Sequence, residues 1–197
     1  MNDYDLPAPP LTAPEADRRM PSLDLIENDA IRSETAHLTR YAPAYFWERP
    51  GSTAGYHNAH EHGLWAHTLK LSTVIERLAD SYTERGLLRK PLDVDRAHAA
   101  AILHDQRKAG VDGEETQSDH DWWMGDVVRQ GSELGETVAR AIEGHMGPWY
   151  EGPEPSSTLD ELVHVADMIA SDDNAEIALP APVPEELAEH GHEGVEL

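Results

Sequence analysis

Along this chain apolar positions recur at intervals of three and four, the spacing of one helix face, and nowhere in a sustained alternation of period two. The clearest stretch runs from 64 to about 82, where His67, Leu71, Val74 or Ile75, and Leu78 fall on one stripe. Upstream, Ser22 is a suitable N-cap for a helix reaching to about 41, with Leu23, Ile26, Ala30 and Ile31 on one face. Gly86 and Pro91 then break the chain, and Asp93 or Asp95 can cap a helix on which Ala97, Ala101 and His104 align. Ser118 can cap the next, through about 130, with His120, Met124 and Val127 on one side. Residues 134–145 predict another, carrying Val138, Ala141, Ile142 and His145 on a face. Thr158 opens the last, with Leu162, Val163, Ala166, Asp167, Ile169 and Ala170. The expected fold class is all-α, a helical bundle occupying residues 22–174.

The flanks and connections read differently. Residues 1–21 hold Pro7, Pro9, Pro10, Pro14 and Pro21 among small and acidic residues, which predicts a disordered arm. Residues 175–197 hold Pro180, Pro182 and Pro184 and end acidic, which predicts a disordered tail whose His190 and His192 stand outside any site. Between 43 and 63, Tyr45, Phe46 and Trp47 are expected to plug the bundle, and His57, His60 and His62 are candidates for metal or phosphate contacts. Trp149 and Tyr150, in the loop after His145, either pack on that loop or stack on a nucleobase.

Charge alters this picture. Against 38 Asp and Glu there are 15 Lys and Arg, a net −23, and lysine occurs only at Lys70, Lys90 and Lys108. Such a chain repels itself in dilute buffer, whereas at molar salt the screening length shrinks to about 3 Å. The composition therefore predicts a halophilic protein of a salty cytoplasm. A net charge this negative ordinarily argues against polyanionic ligands, but strong screening and a bound metal remove that objection. There is no cysteine, so any metal must be held by His and carboxylates. No apolar run reaches the length of a membrane span and the start of the chain lacks a basic-then-apolar signal, so the expected location is cytoplasmic, with no membrane partner.

Candidate chemistry follows from polar residues set into apolar stripes. His67, His104-Asp105, His120, His145 and Asp167 each interrupt such a stripe, where an unpaired polar group is costly. Several interruptions of one kind point to a shared polar centre, and bundles commonly build metal sites this way. Nitrogen and oxygen donors without sulfur suit Mn²⁺, Fe²⁺, Ni²⁺, Co²⁺ or Zn²⁺.

The order of these residues resembles the HD superfamily of metal-dependent phosphohydrolases. GLWAHTL at 63–69 is similar to that superfamily's GGLLxHT segment, and GHMGPWYEGPEPSSTLDELVHVADMIAS at 144–171 is similar to its SHHG…LVH.AD.LAS stretch. Both occur in HD modules of 3′–5′ exoribonuclease type and in uncharacterised phage and microbial relatives. ERPGSTAGYHNAHEHG resembles the PxSTxxxYH lead-in of those relatives, so the likeness runs from about 47 to 174. It implies an HD-domain bundle that hydrolyses a phosphate ester of a nucleotide or a short nucleic-acid end through metal-activated water. It further implies one or two divalent ions (Mn, Fe, Ni, Co, Zn or Mg). His67, His104, Asp105 and Asp167 would hold the first, and Asp105 would bridge to a second on His120 and His145. Lys108, at the HDxxK position, would meet the substrate phosphate, so Asp105 and Lys108 are the expected catalytic residues; His57, His60 and Trp149 would contact substrate. The chain departs from the pattern at Gln106-Arg107 and at Met146, where many relatives have His, which leaves one and two ions both open. A non-catalytic nucleotide-binding module and a di-iron oxygenase are the alternatives.

Overall fold

Alanine sets the centre of the fold. In the computed structural model, which describes residues 8–52, 58–110, 113, 115–149 and 152–197, helix α5 (Leu92–Leu103) carries Ala97, Ala99, Ala100 and Ala101 with no exposed surface. Small side chains on every side let neighbours approach closely, and four helices do. They are α2 (Asp29–Thr39), α4 (Gly63–Glu84), α7 (Gly135–Glu143) and α8 (Thr158–Ala170), all packed on α5. Helix α4 also packs on α8, and α6 (His120–Gly131) packs on α7. The all-α bundle expected from periodicity is the observed architecture. Among the described residues no helix is long and apolar enough to cross a membrane.

Helix starts differ from the expected caps for identifiable reasons. Asn28, not Ser22, caps α2, its side chain accepting from the Ala30 and Ile31 amides at 3.1 and 3.2 Å. Ser22 lies buried in a 3₁₀ turn, Pro21–Leu25. Asp95 does not cap its own helix: its carboxylate accepts from the Glu27 and Asn28 amides at 3.0 Å each, tying the start of α2 to α5. Helix α6 begins after Asp119 rather than Ser118. For α8, Ser157 and Asp160 form a capping box.

The aromatic lead-in is a plug, as expected. It forms a short helix, α3 (Ala44–Glu48), with Phe46 and Trp47 buried and Trp47 edge-on to Trp65 at 5.3 Å. The Arg19 guanidinium covers Trp47, 5.3 Å from the ring centre. Gly63 opens α4 because the lead-in crosses there: a Cβ on Gly63 would lie 1.9 Å from the Asn58 carbonyl oxygen.

The flanks depart most from expectation. Instead of a mobile arm, residues 13–25 form helix α1 (Ala13–Arg19) and the 3₁₀ turn, with Ala16, Met20 and Leu23 wholly buried. Instead of a mobile tail, Leu179 and Leu187 are wholly buried, the latter in α9 (Glu185–Glu189). Strands β1 (Leu179–Pro180) and β2 (Gly194–Val195) pair in parallel, and Thr73 Oγ1 donates to the Ala178 carbonyl at 2.9 Å. Arg18 and Glu186 join the two flanks through paired 3.0 Å hydrogen bonds. Proline and acid dilute the average hydropathy of these segments, but a few well-placed apolar anchors suffice to dock short elements.

Candidate metal centre

Six of the residues singled out in the sequence meet at one buried point. His67 projects from α4, His104 and Asp105 follow the end of α5, and His120 opens α6. His145 follows α7, and Asp167 lies on α8. All six are buried, Asp167 most exposed at 7%. His67 Nε2 donates to Asp167 Oδ1 at 2.9 Å.

Backbone carbonyls fix three of the imidazoles. Nδ1 of His104 donates to Ala101 O at 2.7 Å, that of His120 to Gln117 O at 2.7 Å, and that of His145 to Ile142 O at 2.6 Å. A proton held on Nδ1 leaves Nε2 as the lone-pair nitrogen, the tautomer a metal ligand needs. In each ring Nε2 is buried and has no hydrogen-bond partner among the described residues. Asp105 Oδ1 is likewise buried with no aligned hydrogen bond among the described residues, His120 Nε2 lying 3.0 Å and His145 Nε2 3.7 Å away. Buried polar atoms without partners are rare and costly. Three imidazole nitrogens and a carboxylate oxygen left this way at one point are what a cation would satisfy, so the residues fit a divalent metal.

Among the described residues two buried donor sets emerge, with the donor atoms in each within 4.8 Å of one another: His67, His104 and Asp167, and His104, Asp105 and His145. The Asp105 carboxylate spans the two sides. Its Oδ1 faces His120 and His145, while Oδ2 lies 3.5 Å from His104 Nε2 and accepts from Lys108 Nζ at 2.6 Å.

Electrostatics keep Asp105, Asp167 and His145 in ligand form, whereas against burial the Asp105 carboxylate, with Asp167, raises the His104 pKa and favours its protonation while no cation is bound. Burial alone would raise the Asp105 pKa, but Lys108 and His104 outweigh it and hold the carboxyl well below its usual range. Asp167 is also held low against burial, by His67 above all. Burial and neighbouring His104 push His145 down to about 3, so it is neutral.

The centre opens into a cleft of about 440 Å³ lined by His67, Asp105, Lys108, His145, Asp167 and, beyond the expected set, Met146, Met168, Ser171 and Asp172. Ser171 follows Asp167 by four residues, a spacing that could have flagged it. Sequence reasoning also missed His164, whose Nδ1 donates to the His145 carbonyl at 2.7 Å and braces the ligand loop.

Gln106 and Arg107, which depart from the family pattern, turn away from the centre. The Gln106 amide donates to Thr39 Oγ1 and Ile102 O at 3.2 and 3.0 Å, and Arg107 stacks 5.9 Å over Trp123. Tyr45 braces the segment after Lys108, donating to Gly110 O at 2.8 Å and accepting from the Ala109 amide at 3.1 Å. His60 is not in the cleft lining but lies beside His190 and His192. His57 and Tyr150 fall outside the described residues, as does the Trp149 side chain.

An all-α bundle with His and Asp donors at its centre defines a helical metal-site protein. The chain matches the HD domain over residues 64–172, more than half its length and spanning all six candidate ligands. It belongs to the HD-domain family, whose members are generally metal-dependent phosphohydrolases. No curated protein and no solved structure matches it.

Proposed function

We propose that the chain is a phosphohydrolase or phosphodiesterase acting on a nucleotide or a short nucleic-acid end. The observation that carries the reading is Asp105, whose two oxygens face two donor sets at the base of a cleft that also holds Lys108. His67, His104 and Asp167 would hold one divalent ion, and Asp105 would bridge to a second on His120 and His145. When bound, such ions neutralise phosphoryl oxygens and lower the pKa of water to give a nucleophile near neutral pH. The chain's own residues set the conditions for that chemistry. Asp105, Asp167 and Asp172 outnumber Lys108 in the cleft lining, so the cleft without cations repels phosphate, and loading reverses the local sign. Lys108 then offers its ammonium to a phosphate oxygen in place of Asp105. Met168, 41% exposed at the rim, offers a polarisable apolar surface to a base or sugar. A cleft of about 440 Å³ suits a nucleotide-sized ligand.

The residues that would favour a non-catalytic module, Gln106 and Arg107, are engaged with Thr39 and Trp123 and leave Asp105 and Lys108 in place. The test is a screen of nucleoside triphosphates, cyclic and dinucleoside nucleotides and short RNA with Mn²⁺ in molar KCl, with Asp105→Asn as control. Mn²⁺-dependent release of phosphate or nucleotide, abolished in the control, is expected. Tight nucleotide binding without turnover would overturn the reading in favour of a sensor, and oxygen-dependent substrate consumption in favour of an oxygenase.

A further inference from the structure

Away from the buried centre, two His-x-His pairs face each other. His60 and His62 lie just before α4, and His190 and His192 just after α9. Ring centres stand 5.2 Å apart for His62 and His190, 5.2 Å for His60 and His192, and 6.3 Å for His60 and His190. Glu61, His62 and His190 present donor atoms within 4.8 Å of one another, with His190 Nε2 3.9 Å from Glu61 Oε2. None of these residues lines the cleft of the buried centre.

The rings on the α4 side are preset as donors. His62 Nδ1 donates to Trp47 O at 2.5 Å and His60 Nδ1 to Glu61 O at 2.7 Å, which leaves Nε2 of each with its lone pair. His62 also holds a left-handed backbone, φ 63°, uncommon for a residue other than glycine. On the other side, His192 Nε2 is buried without a hydrogen-bond partner among the described residues. Four imidazoles gathered this closely leave a buried nitrogen unsatisfied, a penalty that a bound cation removes.

We propose that Glu61, His62 and His190, completed by His60 and His192, form a second metal site. It takes a borderline transition ion such as Zn²⁺ or Ni²⁺, which imidazole donors favour over Mg²⁺ or Ca²⁺. Its role is a clasp. The donors on one side belong to the lead-in of α4, and those on the other belong to the segment that carries β2, so one ion fastens the C-terminal segment to the domain. Arg18 and Glu186 extend the tie to α1.

The test uses the full chain, stripped of metal and titrated with Zn²⁺ alone, bound ions being counted by native mass spectrometry and affinity measured by calorimetry. Wild type is expected to bind one ion more than the double variant His190→Ala, His192→Ala, and Zn²⁺ should slow amide exchange across residues 179–195 in wild type only. Glu61→Gln, a change at an exposed side chain, should weaken that additional site at least tenfold, and it decides the matter should the double variant lose its helical circular dichroism. Equal ion counts in wild type and double variant, an unchanged affinity in Glu61→Gln, or exchange at 179–195 indifferent to Zn²⁺ would each overturn the proposal.

Discussion

Replacing Asp105 by asparagine separates catalytic from structural roles, because the structure predicts opposite magnitudes for the two. The side chain is 1% exposed, and its oxygens lie 2.6 Å from Lys108 Nζ, 3.0 Å from His120 Nε2, and 3.5 and 3.7 Å from His104 and His145. Its carboxyl is held far below its usual range, so Asn removes a charge present at every working pH while keeping the volume. In the metal-free protein the loss is small. The Lys108 ion pair disappears, but Lys108 lines an open cleft with 22% of its side chain exposed and can turn to water. The burial penalty of the carboxylate disappears with it. A net change within about 2 kcal/mol follows, some 4–8 °C in the unfolding midpoint for a chain this size. Function loses far more. Altering a group that merely orients a metal ligand costs about 10–100-fold, and Asp105 touches both donor sets, so hydrolysis should fall more than 100-fold, about 2.7 kcal/mol or more of barrier. The assays are thermal unfolding without metal, Mn²⁺ content by elemental analysis, and turnover at saturating Mn²⁺. A variant that keeps its bound metal and turns over within threefold of wild type refutes the reasoning. So does one that fails to fold without metal.

Three other outcomes follow. Gly147 has φ +55°, and a Cβ there would lie 2.5 Å from His164 Cε1, so Gly147→Ala should cost about 1–3 kcal/mol and weaken Mn²⁺ binding by releasing the His145 brace. His164→Ala in the same chain should recover part of the stability but not the Mn²⁺ affinity, both read by calorimetry. The Glu186 pKa is lowered from 4.5 to about 2, first by its hydrogen bonds to Arg18. A lowered folded-state pKa gives stability that is present above about 4.5 and lost as pH falls toward 2, so Glu186→Gln should flatten the urea-midpoint profile across that window and leave it nearly unchanged below. The pair is half exposed, which limits the effect to a few tenths of a kcal/mol. Finally, a net charge of −23 predicts that the urea midpoint rises between 0.1 and 2 M KCl as screening shortens; a flat or falling midpoint removes the halophilic reading.

The centre was legible in the sequence because its evidence is local. His67, His120 and Asp167 each break an apolar stripe of their own helix, so the six candidate ligands can be picked out before their meeting is seen. Caps were not legible to the same degree, since several Ser, Asp and Asn compete and a distant contact chooses among them. Asp95 has the chemistry of a cap but gives its oxygens to the Glu27 and Asn28 amides, and with them it fixes where α2 begins.

The flanks show the other limit. Residues 8–21 and 175–197 are rich in proline and acid, yet Ala16, Met20, Leu179 and Leu187 are wholly buried, and a compositional average dilutes such anchors. Nothing in either His-x-His pair reveals that the other exists; their approach depends on Leu187 docking α9 and on β1 pairing with β2. The same anchors explain why a C-terminal segment so acidic stays on an acidic domain. Apolar burial is indifferent to charge and contributes about 25 cal/mol per Å², whereas the repulsion between exposed carboxylates is screened over a few ångströms in salt. Attachment of these flanks should therefore outlast the loss of any one surface ion pair and fail first when an anchor such as Leu187 is cut back to alanine.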